Sequence, residues 1–268
     1  MIMDLAERLS PQHRRLFKFH HLADPDQPLL LESFRGAEAL SQPFAYELLL
    51  ICDAPQMPLK SMIGQQVSLE IELADAAPRF INGYLTRFAS QGSDGALDRY
   101  GATLSPWLTM LRHRTDTRIF QNCTVIDVLA DVFALYPAYA DYALRLSQPQ
   151  KRHTYLTQYR ESDLNFVQRL LDDAGLFYFF EHSREGHTLV ICDDSTMLDA
   201  LPEQAQIRFH STSVTETADA ITQWCGQRQL QAGSIAAQTF DYRQPRNRLP
   251  VALCSLNEQG DVQRFENR

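Results

Sequence analysis

The chain has 268 residues with 44% hydrophobic content, enough to bury a sizeable core in one large domain or two smaller ones. Its 25 Lys and Arg against 33 Asp and Glu give a formal net charge of −8, with the basic residues scattered, which excludes the clustered cationic footprint of a nucleic-acid binder. No apolar run approaches the roughly twenty residues of a membrane helix, and no apolar segment follows the N-terminal charges, so synthesis in the cytoplasm without a signal peptide is expected.

Met1 to Gln12 reads as a polar leader without assigned function. Strands are expected at Leu16–His20 and Leu29–Phe34, flanking the Asp24-Pro25-Asp26 turn, and at Tyr46–Cys52. Val67, Leu69, Ile71 and Leu73 alternate with Ser68, Glu70 and Glu72, so one face of that strand should be packed and the other wet. Ile81–Phe88 and Leu97–Leu104 predict a hairpin across the Gln91–Gly95 loop, with Gly83 a bulge or tight bend. Short antiparallel strands at this spacing predict a β-barrel domain over 1–105, because closure removes sheet edges.

Ser105-Pro106-Trp107 has the form of a helix start, Ser as cap and Pro first in the helix, leading to Leu111. Arg112-His113-Arg114 with Arg118 is the densest basic cluster, but Asp116 lies within it and a solvated turn is the preferred reading. Thr124 with Asp127 resembles a capping box, and Val125, Val128, Leu129, Val132, Phe133 and Leu135 form a helical stripe that Pro137 stops. Tyr142–Leu146 and Thr154–Tyr159 are candidate strands. A second helix starts at Ser162 with Asp163 in its first turn, carries Leu164, Val167, Leu170 and Leu171 on one face, and ends at Gly175. The aromatic run Leu176–Phe180 and the β-branched run His187–Cys192 then predict a hairpin about Ser183–Gly186. An α+β domain over 106–200 follows, with helices on a small sheet. Beyond it, Ile207–His210, Ile221–Trp224 and Gln238–Arg243 read as strands of a third domain over 201–268, incomplete at the chain's end.

Polar residues that could carry chemistry crowd one region. His182 and His187 face each other across the predicted hairpin, near Cys192, Asp193 and Asp194, with Asp163, Asp172 and Asp173 on the preceding helix. Two imidazoles and an aspartate could hold zinc for a metal-dependent hydrolase, but the spacing matches no zinc motif and turn polarity explains it more simply. Cys52, Cys123, Cys192, Cys225 and Cys254 are odd in number and widely separated, suiting buried reduced thiols rather than disulfides. The aromatic run could be a stacking platform, although an aromatic strand among aliphatics is more often core. No phosphate loop, nucleophile elbow or dinucleotide fingerprint occurs, so no catalytic, cofactor or metal residue is assigned.

Four ordered stretches carry a family resemblance. They are Pro106-Trp107-Leu108; Arg118-Ile119-Phe120-Gln121-Asn122; Gln158-Tyr159, Glu161-Ser162-Asp163, Phe166-Val167, Arg169-Leu170 and Ala174-Gly175; and Phe240-Asp241-Tyr242-Arg243-Gln244-Pro245. Together they resemble the valine-glycine repeat protein G (VgrG) family of type VI secretion spikes. The resemblance implies a structural, non-enzymatic hub whose third segment begins a second barrel. It implies a homotrimer seated on a hexameric Hcp-type tube, baseplate components as partners, effectors or adaptors met through C-terminal regions outside this sequence, and export through the type VI apparatus. A phage or pyocin tail baseplate hub is the alternative within the same fold. Trp107, Arg118, Phe120, Gln121, Tyr159, Glu161, Asp163, Phe166, Arg169, Gly175, Asp241, Tyr242 and Pro245 are the positions the resemblance singles out.

Overall fold

The computed structural model describes residues 15–25, 28–53, 57–73, 77–93 and 97–198, then 206–209, 220–221, 223–227, 234–239, 243–246, 249–254 and 266–267. Contacts divide the chain into two compact units, Met1–Asp199 and Ala200–Arg268.

The first unit opens with six strands: β1 (Phe17–His21), β2 (Leu30–Ala37), β3 (Ala45–Cys52), β4 (Gln66–Ile71), β5 (Arg79–Ser93) and β6 (Asp98–Ser105). One helical turn, α1 (Leu59–Met62), precedes β4. The strands form a single antiparallel sheet in the order β1-β4-β5-β6-β3-β2. The strands either side of the Asp24-Pro25 turn therefore do not pair with one another; β1 joins β4 and β2 joins β3. The sheet curls until its two edges meet through side chains. The Phe17 and Phe34 rings lie 5.4 Å apart, and Arg15 donates to the Leu31 carbonyl at 2.8 Å. Inward residues such as Phe19, Leu31, Leu48, Leu50, Val67, Leu69, Ile81, Leu85 and Leu104 fill the concave side. Each is worth about 1.5 to 3 kcal/mol in burial, which holds the curl without a closing ladder.

Gly83 is not a bulge. It pairs in register with Val67, and the register shifts fall later, at Leu85/Arg87 and Ser90/Gly92. Its lack of a side chain serves a close approach, since a Cβ there would sit 2.8 Å from the Ser105 carbonyl oxygen and 2.9 Å from Leu104 Cδ1.

The α+β portion follows directly. Its elements are a 3-10 helix (Trp107–His113), β7 (Thr115–Cys123), α2 (Val125–Phe133), β8 (Tyr142–Arg145), β9 (His153–Ser162), α3 (Asp163–Asp173), β10 (Phe177–His182) and β11 (His187–Cys192). The turn after β6 is not capped as the sequence suggested: Ser105 is the last residue of β6, its hydroxyl meets Thr86 Oγ1, and Pro106 occupies the cap position. Nor is 112–118 a solvated turn; it runs from the 3-10 helix into β7, which pairs with β9 as a two-stranded ribbon.

Local chemistry fixes the helices. Thr124 and Asp127 make a reciprocal capping box, at 3.1 Å and 2.9 Å, and Val125, Val128, Leu129, Val132 and Phe133 are buried. Leu135 lies past the helix end and is exposed. Ser162 Oγ accepts from the Asn165 N–H to start α3. At its end Leu176 N–H reaches the Leu171 carbonyl and Gly175 N–H the Asp172 carbonyl, a Schellman closure made possible by Gly175 at φ +69°. β10 and β11 form the expected hairpin, and β8 adds to β11 in parallel. Leu176 and Tyr178 are buried in the core beneath the helices, with the partly covered Phe180 touching that core and the barrel core alike. Phe177 and Phe179 are partly covered on the other face, so no pair of bare rings makes a platform.

The hairpin also leans on the barrel, which changes the reading of β4. Glu70 remains near solvent, bonded to Lys18 and His20, but Ser68 is fully buried because its cross-strand neighbour Asn82 is covered by His182.

In the second unit, β12 (Ser234–Thr239) pairs antiparallel with β13 (Leu249–Cys254) and in parallel with β14 (Glu266–Asn267), while Phe209 and Ile221 share an isolated bridge. The strand expected at Gln238–Arg243 thus begins four residues earlier. Arg243–Arg246 is turn, with Pro245 exposed. Asp241 and Tyr242 lie outside the described residues.

Candidate functional site

Arg118, Phe120, Glu161, Asp163, Phe166 and Arg169, among the side chains singled out in the sequence, meet at the seam of ribbon and helix α3. At its centre Asp163 is fully buried. Its Oδ2 accepts from Arg114 Nη1 at 2.9 Å and Tyr136 Oη at 2.8 Å; its Oδ1 accepts from Gln158 Nε2 at 2.7 Å, with Arg118 Nη2 at 3.6 Å. Asp116 joins both guanidiniums, 2.6 Å from Arg114 and 3.2 Å from Arg118. Gln158 closes the ring by accepting from Arg118 at 3.1 Å. Two carboxylates and two guanidiniums balance, so the buried charge is paired and its hydrogen-bonding capacity is filled.

The electrostatics follow from this geometry. Hydrogen bonding to Asp163 holds the Arg114 guanidinium above its ordinary value, and the Thr117 N–H together with the two arginines keeps the Asp116 carboxyl low. Burial, then the hydrogen bond to Asp163, push the Tyr136 phenol up. None of these groups is poised to exchange a proton near neutrality. The cluster locks β7, β9, the segment after α2 and helix α3 into one piece.

From Arg118 a stack of three further side chains extends. Arg118 sits 5.2 Å above the Phe120 ring, Phe120 stacks on Phe166 at 5.8 Å, and Arg169 lies 5.4 Å above Phe166. Arg169 is held in turn by Glu161 and by the Thr157 carbonyl. Trp107 is fully buried, its ring against Phe133 and its indole N–H on the Asp141 carbonyl at 3.0 Å. Gly175 stands apart, closing α3. Gln121 and Tyr159 point the other way, onto the outer face of the ribbon. There Ile119, Tyr155 and Tyr159 are 63%, 62% and 63% exposed, with Thr117, Thr157 and Gln121 between them and no charged side chain in those rungs.

The histidines form a second buried seam. His187 Nε2 accepts from the Trp107 backbone N–H at 2.9 Å and its Nδ1 faces Asn82 Oδ1 at 2.9 Å, which fixes one neutral tautomer. Burial, reinforced by His182, lowers its pKa to about 3. His182 Nδ1 accepts from the Asn82 N–H at 3.1 Å. His187 thus has no lone pair left for a metal, and among the described residues no three His, Cys, Asp or Glu gather to hold one. The neighbouring acids are occupied too: Asp193 accepts from the Ser147 and Gln148 N–H groups, and Asp194 caps the turn at Thr196. The imidazole pair joins hairpin to barrel.

Tyr136 and Asn82 are members of these clusters that the sequence did not single out, and Arg114 and Asp116 were read there as a solvated turn. Asp116 set between Arg114 and Arg118 at strand spacing was the signal, an acid among bases whose alternation fits a strand rather than a turn.

Comparison with known proteins agrees with this architecture. The family model described as phage tail baseplate hub (GPD) matches residues 37–267. The type VI secretion system spike protein VgrG1b of Pseudomonas aeruginosa is 34% identical over 224 residues, 83% of this chain and 30% of that protein. Among solved structures, an Escherichia coli type VI secretion component, described as similar to the T4 bacteriophage tail proteins gp27 and gp5, superposes with a TM-score of 0.62 at 23% identity. That match covers 73% of this chain and 52% of the other. A tail protein from Neisseria meningitidis gives 0.59 at 10% identity, covering 94% and 69%. The chain spans about a third of the length of the curated relatives it matches. The curled barrel, the α+β portion joined to it through the buried histidine seam, and these matches agree: the chain belongs to the phage tail baseplate hub family and corresponds to the hub region of VgrG-type proteins.

Proposed function

We propose that this chain is the structural hub of a type VI secretion spike, assembling as a trimer that seats the spike on a hexameric Hcp-type tube for contraction-driven delivery of effectors. The observation that carries this reading is the 34% identity to a spike protein over 83% of the chain, within a family match from residue 37 to 267. The internal chemistry supports a mechanical rather than catalytic role. Buried Asp163 and His187 are consumed in hydrogen bonding, the condition under which such groups rigidify a joint rather than react. We further propose the domain division 1–105, 106–200 and 201–268, the last belonging to a second barrel, and export by the apparatus itself.

The outer face of the β7/β9 ribbon is the contact surface this reading needs. Its exposed Ile119, Tyr155 and Tyr159, with hydroxyl and amide neighbours and the Arg160 guanidinium 5.4 Å above the Tyr159 ring, suit close packing against another protein. Cross-linking mass spectrometry on the chain mixed with the tube protein of the same cells tests the assignment. Cross-links joining hub to tube and hub to hub in a three-to-six complex are expected. A chain that stays monomeric and uncross-linked when expressed within its full-length gene product would overturn it.

A further inference from the structure

Strand β9 carries an extra residue opposite β7. Thr117 pairs with Tyr159 and Asp116 with Glu161, so Arg160 stands opposite nothing, at φ +49°. The fold has a use for the extra residue. Gln158 joins the buried cluster around Asp163 and Glu161 holds Arg169, both turned inward, whereas unbroken alternation would send residues three apart to opposite faces. It has no use for an arginine. The left-handed conformation at such a bulge suits glycine first and Asn or Asp next, because a longer side chain crowds its own carbonyl there. The Arg160 N–H is met by Thr117 Oγ1 at 3.2 Å, a bond open to any residue but proline.

The side chain finds nothing within the molecule that offsets this strain. Arg160 is exposed, and among the described residues its guanidinium makes no ion pair and no hydrogen bond. It lies over the Tyr159 ring at 5.4 Å, a contact open to water and correspondingly weak. The bulge thus brings two consecutive side chains to one face and sets an unpaired cation beside Ile119, Tyr155 and Tyr159, with Thr117, Thr157 and Gln121 between them. An arginine among exposed aromatics, with no acid in reach, has the composition of an interface anchor whose carboxylate comes from outside.

We propose that Arg160 anchors this face by binding a carboxylate of a neighbouring copy of the chain. The inference rests on the trimeric hub reading and names the chemistry of its contact. Charge selects the partner. The chain carries 33 Asp and Glu against 25 Lys and Arg, and exposed Asp53, Asp131, Asp172 and Glu185 have no ion pair or side-chain hydrogen bond among the described residues. Copies in a closed ring meet through two different surfaces, so the cation of one faces an acid of the next, whereas a two-fold contact centred here would set Arg160 against itself. At such a contact the planar guanidinium keeps the Tyr159 ring on one face while its fork of donors takes the carboxylate.

The test joins thermal melting of this chain to hydroxyl-radical footprinting of the assembled full-length spike. Arg160→Gly should raise the melting temperature by about 1 to 2 °C, relief of the left-handed conformation exceeding the extra freedom glycine has when unfolded. An equal or lower value would show that the arginine serves the fold and would overturn the proposal. In the spike, Tyr155 and Tyr159 should be oxidised several-fold more slowly than in the dilute chain, and Arg160→Gly and Arg160→Glu should each abolish that protection. Protection that survives both substitutions would overturn the anchor and leave the contact face standing. No protection in the spike would remove anchor and face together, while cross-linking to the tube would still decide the hub reading. Protection gained only on adding tube protein would assign the carboxylate to the tube and defeat the neighbouring-copy assignment. Asp53→Lys, Asp131→Lys, Asp172→Lys or Glu185→Lys, placed singly in the Arg160→Glu spike, should restore protection in one case; restoration by none would equally sink the proposal.

Discussion

The Trp107 backbone N–H donates to Nε2 of His187 across 80 residues of sequence, at 2.9 Å and out of reach of water. The bond ties the first residue of the 3-10 helix that follows the barrel's last strand to the far strand of the hairpin. It requires a neutral imidazole, and that requirement makes stability depend on pH.

His187 has a folded-state pKa of about 3 against the ordinary 6.5. Above about pH 6.5 the ring is neutral folded and unfolded, and no penalty applies. As pH falls from there toward 3 the unfolded chain takes up a proton that the folded chain refuses, and stability is lost. The total is on the order of several kcal/mol by the bottom of that window. Urea unfolding from pH 7.5 to 4.5 should show the midpoint falling with acidification, and His187→Gln should flatten the slope; an unchanged slope would place the proton elsewhere.

Asp163→Asn leaves two arginines facing a buried amide. Breaking one partner of a buried ion pair typically costs about 3 to 5 kcal/mol. Because Arg114 and Arg118 are partly solvated, at 40% and 25% exposure, the lower end is expected. A double-mutant cycle with Arg118→Gln measures the coupling, and additive losses would show that Asp163 and Arg118 act independently.

Gly175→Val should destabilise by about 1 to 2 kcal/mol, since the left-handed conformation disfavours any branched side chain. A Cβ at Gly175 meets nothing within 4 Å, so the loss is purely conformational. Gly175→Asn should then cost less than Val in thermal melts, whereas equal losses would point to crowding.

Gly83→Ala poses the opposite case, with a permissive backbone and no room. The methyl would press on the Ser105 carbonyl oxygen at 2.8 Å, and overpacking of this kind costs about 1 to 3 kcal/mol. A crystal structure of the variant should show β5 and β6 eased apart at that rung. Parent-like stability would falsify the close-approach role.

Tyr159→Glu removes the ring beneath Arg160 and places a carboxylate on the outer face of the ribbon without touching the core. Unfolding should shift by less than about 0.5 kcal/mol, as is usual for exposed positions. Sedimentation of the assembled full-length spike should show fewer trimers if this face is the contact, and a full trimer population would move the contact elsewhere.

What the sequence determined by itself is the part of the fold set within a few residues. The capping box at Thr124 and Asp127, the Ser162 start and Gly175 end of α3, the hairpin of β10 and β11, and the alternation in β4 are all short-range chemistry, in which side chain and backbone settle their bonds before any distant segment arrives. The family resemblance rests on the same kind of information, ordered short motifs. Partners distant along the chain were left to the tertiary structure. Ser68 was expected to be wet because a strand's alternation names two faces but not what covers the second; the hairpin, a hundred residues on, covers it. Arg114 and Arg118 had the composition of a solvated turn, and only the pairing of β7 with β9 brings them to Asp163. His182 and His187 were legible as neighbours, but Asn82 and Trp107, which use up the His187 nitrogens, come from other elements. Polar side chains bond whatever folding brings within 3 Å, and only the packed chain decides what that is.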